Sequence, residues 1–139
     1  MPQPNPLGTL ALIVEDDPDT RALEKEILED AGFVVLTAKN GEDGIRLARE
    51  RRPSVILLDL ALPTASGFDV LKTLKSSPLT ASIPVVLISA YAMLVDNCVA
   101  RGASACVQKP FDIDHLVAQV KHAQRLAVDR QPIAVASCA

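Results

Sequence analysis

No apolar run in this chain of 139 residues approaches the roughly 18 that a membrane span requires. The stretch Met1-Pro-Gln-Pro-Asn-Pro-Leu-Gly8 has neither the charged nor the apolar region of a secretory signal. Basic charge is also short: 14 Lys and Arg stand against 17 Asp and Glu, a formal net charge of -3. That balance argues against a nucleic-acid partner or an anionic membrane surface, both of which call for a basic face. The one basic cluster, Arg46, Arg49, Arg51 and Arg52, ends a predicted helix and reads as a solvated face beside the negative end of the helix dipole. Cysteine is scarce as well. Cys98, Cys106 and Cys138 are odd in number and lack metal-ligand spacing, which fits a reduced setting. Together these absences predict a soluble, cytoplasmic protein.

What is present is ordinary globular composition, 49% hydrophobic and 22% charged, enough for one domain with a real core. Within it, apolar runs alternate with helical patterns. Residues 10 to 14, 33 to 37, 54 to 58, 84 to 88 and 105 to 107 read as strands. Runs without polar alternation belong to a parallel sheet buried on both faces. Between them, Asp17 as N-cap and Pro18 at the first helical position open a helix with Leu23, Ile27, Leu28 and Ala31 on one face, stopped by Gly32. Helices follow at Gly41 to Arg51, at the segment carrying Phe68, Val70, Leu71 and Leu74, and, shorter, at Tyr91 to Arg101. A last helix, capped by Asp112, carries Ile113, Leu116, Val117, Val120 and Ala127. Five βα units with short connections predict a doubly wound α/β sandwich around a five-stranded parallel sheet. The domain is expected over residues 8–129, with tails at 1–7 and 130–139 and no internal repeat or linker.

In a parallel sheet all carboxyl ends lie along one edge, where ligands of open α/β sheets bind. Here Glu15-Asp16-Asp17, Asp59, Ser89 and Lys109 each stand directly after an apolar run. Carboxylates so gathered repel: two unit charges about 4 Å apart interact by about 4 kcal/mol at an effective dielectric near 20. Either one is protonated or a cation is bound, and a dense set of oxygen ligands suits Mg²⁺. Mg²⁺ and Lys109 together neutralise Glu15, Asp16 and Asp59. A phosphoryl group on Asp59 would need donors for its oxygens, which Lys109, Ser89 and the amide of Ala90 can supply. The edge is suited to forming and holding an acyl phosphate, where catalysis is mostly positioning and electrostatic stabilisation.

These residues resemble the receiver domain of two-component response regulators, a flavodoxin-like fold. The resemblance runs from about Leu10 to about Val128, through Leu12-Ile-Val-Glu-Asp-Asp-Pro18, Val55-Ile-Leu-Leu-Asp-Leu60 with Pro63 and Gly67, Ile83-Pro-Val-Val-Leu-Ile-Ser-Ala90, and Gly102-Ala103 leading to Lys109-Pro-Phe111. It implies that Asp59 is the phosphoacceptor, that Asp16 binds Mg²⁺ directly and Glu15 largely through water, and that the backbone carbonyl of Ala61 completes the metal site. It implies further that Ser89 and Lys109 hold the phosphoryl oxygens and that the Lys109-Pro110 bond is cis. The partners so implied are a histidine kinase or histidine phosphotransfer protein and a protein target, for a monomer or weak dimer. Such a chain is a switch that catalyses its own phosphotransfer and autodephosphorylation, not an enzyme acting on a separate substrate. With no output domain in view, it reads as a stand-alone regulator or as a phosphate-shuttle intermediate of a multistep relay.

Other readings fit less well. An aspartate-nucleophile phosphatase wants a second acid two residues beyond Asp59, where Ala61 stands. A flavin carrier wants a phosphate-cradling loop after the first strand, and Glu15-Asp16-Asp17 would repel that phosphate. Asp17, before Pro18, reads as a helix cap, although a register with Asp16 and Asp17 as the acidic pair stays open. His115 and His122 read as surface residues. Two departures from the family stand out. The interval from Ser89 to Lys109 is a little short, and Cys106 occupies a position on the fifth strand that ordinarily carries an aromatic ring. With no ring to swing there, a phosphorylation-linked change is expected over residues 89 to 96, near Tyr91, and to be small at Cys106, which would pack as a small hydrophobe.

Overall fold

A computed structural model describes residues 10–62, 66–90 and 98–130, with side chains to residue 125. Five strands form one parallel sheet: β1 (Leu10–Val14), β2 (Val34–Ala38), β3 (Val55–Asp59), β4 (Val85–Ser89) and β5 (Ala105–Gln108). Their order across the sheet is β2-β1-β3-β4-β5. Because the chain steps outward from β1 to β2 and then crosses back to β3, the strand order reverses between β1 and β3. A crevice opens there, at their carboxyl ends.

Alternation along each strand sorts side chains onto two cores. Leu12, Val14, Ile56, Leu58, Val85 and Leu87 face one layer, formed by α2 (Gly41–Arg51) and α3 (Gly67–Ser76). Ala11, Ile13, Val55, Leu57, Val86 and Ile88 face the other, formed by α1 (Pro18–Asp30) and α4 (Ile113–Arg130). Side chains such as Leu12 and Ile56 are wholly inaccessible, and each stabilises the fold by about 1.5–3 kcal/mol. The chain's runs of unbroken aliphatics therefore reflect a sheet covered on both sides, as expected. Among the described residues, no helix is long and apolar enough to cross a membrane.

Local signals set the ends of α1. Asp17 caps it, accepting from the amide of Thr20 at 2.8 Å, and Gly32 adopts φ 102° just past its end, a left-handed conformation that glycine takes without a Cβ clash. The expected inward face is turned by one position, however. Leu23 is 46% exposed, and Glu24 is 1% exposed in its place, beside Ile27 and Leu28. Ile113, expected on the inner stripe of the last helix, is 51% exposed, whereas Leu116, Val120 and Ala123 are buried. Leu23 and Ile113 line one groove between α1 and α4: both sit where the two helices meet at their rims, off the line that faces the sheet.

Strands β3 and β4 end one residue later than expected, so Asp59 and Ser89 are terminal strand residues. Of the segment expected to form the fourth helix, residues 91–97, Tyr91 included, lie outside the described residues. Its end is a 3₁₀ turn at Val99–Arg101. The tails expected at 1–7 and 130–139 also lie outside them, except Arg130, which ends α4. Cys106 does not stand alone as a small hydrophobe: the structure pairs it with Cys98, with Cα atoms 6.4 Å apart.

Candidate functional site

The β1–α1 turn carries the first acids. The amide of Glu15 donates to Ala38 O at 3.0 Å, extending the β1–β2 ladder, and this draws the Glu15 side chain inward to 1% exposure. The amide of Asp17 donates to Glu15 Oε2 at 3.2 Å. One turn into α1, Arg21 Nη1 donates to the carbonyls of Glu15 and Asp16 at 3.0 and 3.2 Å, tying the backbone of the acidic turn to the helix. Asp17 points the other way. Its carboxylate accepts from the amide and the hydroxyl of Thr20 at 2.8 and 2.6 Å, and those bonds, side chain first, hold it below the usual carboxylate range.

Across the crevice, Asp59 ends β3 at 6% exposure. The amide of Ala61 donates to its Oδ1 at 3.2 Å. Gly67, first residue of α3, passes so close that a Cβ there would meet Asp59 O at 2.5 Å and Leu60 Cα at 2.7 Å; only glycine admits that approach. The carboxylate oxygens of Glu15, Asp16 and Asp59 lie within 4.8 Å of one another. Lys109 follows β5, where its amide donates to Ser89 O at 2.7 Å and its bond to Pro110 is cis. Its Nζ stands 3.3 Å from Glu15 Oε1 and 3.6 Å from Asp59 Oδ2. Ser89, 3% exposed, ends the strand between β3 and β5.

The charges of this cluster act on one another. Burial above all, then a hydrogen bond with Asp59 and repulsion from its charge, pushes Glu15 up to about 7, against the pull of the Asp17 amide and Lys109. Burial by itself would lower Lys109, but attraction to Asp59 and then Glu15 outweighs it and keeps the ammonium above the ordinary lysine value. Three clustered carboxylates, oxygen donors only, suit a hard divalent cation, so the residues present fit a metal of the Mg²⁺ kind.

The family model of the response regulator receiver domain matches residues 11–121. The chain is a receiver domain. The polar-differentiation response regulator DivK of Brucella anthropi is 35% identical over 112 residues, 79% of this chain and 91% of DivK. The crystal structure of a CheY-like receiver domain protein from Methanospirillum hungatei superimposes with a TM-score of 0.80 at 25% identity, covering 88% of this chain and 98% of that one. The receiver domain of the sensor histidine kinase PA1611 from Pseudomonas aeruginosa, whose structure has magnesium coordinated in its active-site cleft, shares the fold with a TM-score of 0.78 at 24% identity, covering 85% of this chain and 98% of that one.

In this receiver domain the fold gathers Glu15, Asp16, Asp59 and Lys109 within ion-pair or metal-ligand range. Asp17 is occupied as a cap. His115 and His122 are both exposed. Two residues were not singled out by sequence. Arg21 gives no signal beyond its place one turn after the acids. Glu24 does give one: it stands three and four residues before the buried Ile27 and Leu28, on their helical face. Among the described residues its Oε2 has no hydrogen-bond partner, and burial first, then repulsion from Glu15, pushes it up to about 8, with Lys109 opposing.

Proposed function

We propose that Asp59 is the phosphoacceptor of this receiver domain and that a phosphohistidine of a histidine kinase or histidine phosphotransfer protein is its donor. The observation that carries this reading is the single ammonium of Lys109 set between Glu15 and Asp59 at 3.3 and 3.6 Å. An Asp59 carboxylate oxygen attacks phosphorus, the P–N bond to the donor imidazole breaks, and the freed imidazole takes up a proton. Asp59 is held for attack by the Ala61 amide on Oδ1 and by the backbone of Gly67 packed behind it. The Lys109 ammonium and the Ser89 hydroxyl take the oxygens of the transferred group as charge develops on them. Glu15, Asp16, Asp59 and the Ala61 carbonyl would hold Mg²⁺, which when bound supplies charge neutralisation for the incoming phosphoryl group. Water later hydrolyses the acyl phosphate in the same site. The chain thus works as a cytoplasmic switch that catalyses its own phosphotransfer and autodephosphorylation, and the phosphorylated form docks differently on a protein target.

The test is labelling from a phosphohistidine donor. Label is expected on the wild-type chain with Mg²⁺ and is lost on chelation and in Asp59→Asn. Native labelling of Asp59→Asn at the wild-type rate would overturn the assignment.

A further inference from the structure

Eight residues separate Cys98 from Cys106, and the fold closes that interval. Cys106 lies on the edge strand β5, opposite Leu87 of β4, and packs into the layer that holds Cys98. Cys98 immediately precedes the 3₁₀ turn. Ala103 donates its amide to Cys98 O at 3.1 Å, and Gly102 returns the chain to β5 with φ 106°. The turn is anchored on α3 by the Arg101 guanidinium, 4.2 Å from the centroid of the Phe68 ring. The Cα separation of 6.4 Å lies inside the range a disulfide spans, about 4.4–6.8 Å.

We propose that Cys98 and Cys106 form an oxidation site for hydroperoxides and small-molecule disulfides, a reversible bridge that ties the segment following Ser89 to β5. Exposure sets the order of events. Cys98 is 0% exposed and Cys106 is partly exposed, so Cys106 meets the oxidant first. With a hydroperoxide, the Cys106 thiolate takes the terminal oxygen, giving a sulfenic acid and an alcohol. Cys98 sulfur then attacks the sulfenic sulfur, the S–S bond forms, and water leaves with the Cys98 proton. Two thiols lose two electrons and the peroxide gains them. With a disulfide oxidant, two exchange steps give the same bridge and release two small thiols; an external dithiol reverses either route.

The position of the bridge gives it a consequence for the site, which rests on the reading of Asp59 as phosphoacceptor. Ser89 and Lys109 are the two ends of the covalent segment that contains both cysteines, and they already share a backbone hydrogen bond of 2.7 Å. A bridge between Cys98 and Cys106 shortens the covalent path between them. In the oxidised chain Cys98 is fastened to β5, so a shift of Cys98 away from that strand on filling of the phosphoryl site is blocked.

Peptide mapping of the full chain tests the site directly. Reduced protein is treated with hydrogen peroxide or oxidised glutathione, remaining thiols are alkylated, and peptides are separated without reductant. A peptide pair joined through Cys98 and Cys106 is expected, released by dithiothreitol, with Cys138 still alkylated. Cys138→Ser keeps the bridge and Cys106→Ala, at the partly exposed position, loses it. Full alkylation of both cysteines after oxidant, or a bond to Cys138 instead, would overturn the site. The second arm compares amide shifts induced by beryllofluoride with Mg²⁺ in reduced and oxidised protein. Changes at the assigned residues from 91 to 98, beyond the direct contacts of Ser89 and Ala90, are expected in the reduced chain and are lost in the oxidised one. Equal changes in both states overturn the coupling. If beryllofluoride binds in neither state, the reading of Asp59 fails and the coupling with it, while a mapped bridge upholds the oxidation site.

Discussion

Lys109 Nζ stands 3.3 Å from Glu15 Oε1, joining residues 94 positions apart in the chain. The pair closes the crevice from the two sides of β3: Glu15 follows β1, which pairs with β3, and Lys109 follows β5, the edge strand beyond β4. Because Lys109 also faces Asp59 at 3.6 Å, one cation serves two acids. Lys109→Met removes the charge and keeps the stem. The expected outcome is a Glu15 carboxyl that titrates still higher, seen by carbon NMR of the side chain, together with loss of phosphoryl transfer to Asp59. An unchanged Glu15 titration would show that the ammonium does not act on it in solution.

Glu24 should make the chain's stability depend on pH. Its value in the fold, about 8 against an ordinary 4.5, means that the native state binds the proton more tightly than the unfolded chain does. The favourable contribution is therefore complete below pH 4.5 and is lost as pH rises through 8, by on the order of a few kcal/mol. Glu15, raised to about 7, acts in the same direction over the lower part of that window. Glu24→Gln, which stays neutral, should flatten the decline between pH 4.5 and 8. Denaturant melts at several pH values measure it; parallel curves for wild type and variant would refute the assignment.

Asp16 and Asp17 should separate cleanly. Asp16 lies in the carboxylate cluster, and Asp17 is bonded to Thr20. Asp16→Ala is expected to weaken Mg²⁺ binding at least tenfold with a near-normal melt. Asp17→Ala should keep the metal and lose a cap, with a melting temperature lower by about 2–8 °C. The depressed value of Asp17 adds a sign: the cap strengthens above the ordinary aspartate value of 3.8 and weakens as pH falls through its lowered one. Calorimetric Mg²⁺ titration beside thermal melts would expose the opposite pattern.

Gly67→Ala should damage both stability and phosphorylation. The atoms that its Cβ would meet, Asp59 O and Leu60 Cα, are backbone, so no side chain can step aside and the end of β3 must shift. A loss of about 1–3 kcal/mol is expected, with slower labelling of Asp59 in the fraction that remains folded. Wild-type melting and labelling rates would show that β3 and α3 have more room than the structure gives them.

The strands, the cap at Asp17 and the stop at Gly32 were legible in the chain because each depends on local chemistry: unbroken aliphatic runs, a carboxylate one turn from free amides, a residue that tolerates positive φ. Asp59, Ser89 and Lys109 were legible for a related reason. A parallel sheet aligns the ends of its strands, so a polar residue ending an apolar run is placed without knowledge of any contact. Facing was not legible. Leu23 and Glu24 both continue the helical period of α1, and which of them enters the core was decided by where α4 lies beside it, leaving an acid buried and a leucine in the groove. Nor could spacing pair Cys98 with Cys106, since eight residues of separation say nothing of where two Cβ vectors point. Their meeting depends on a 3₁₀ turn packed on Phe68 of α3 and an edge strand set by β4, contacts between distant parts of the chain that exist only once the sheet is built.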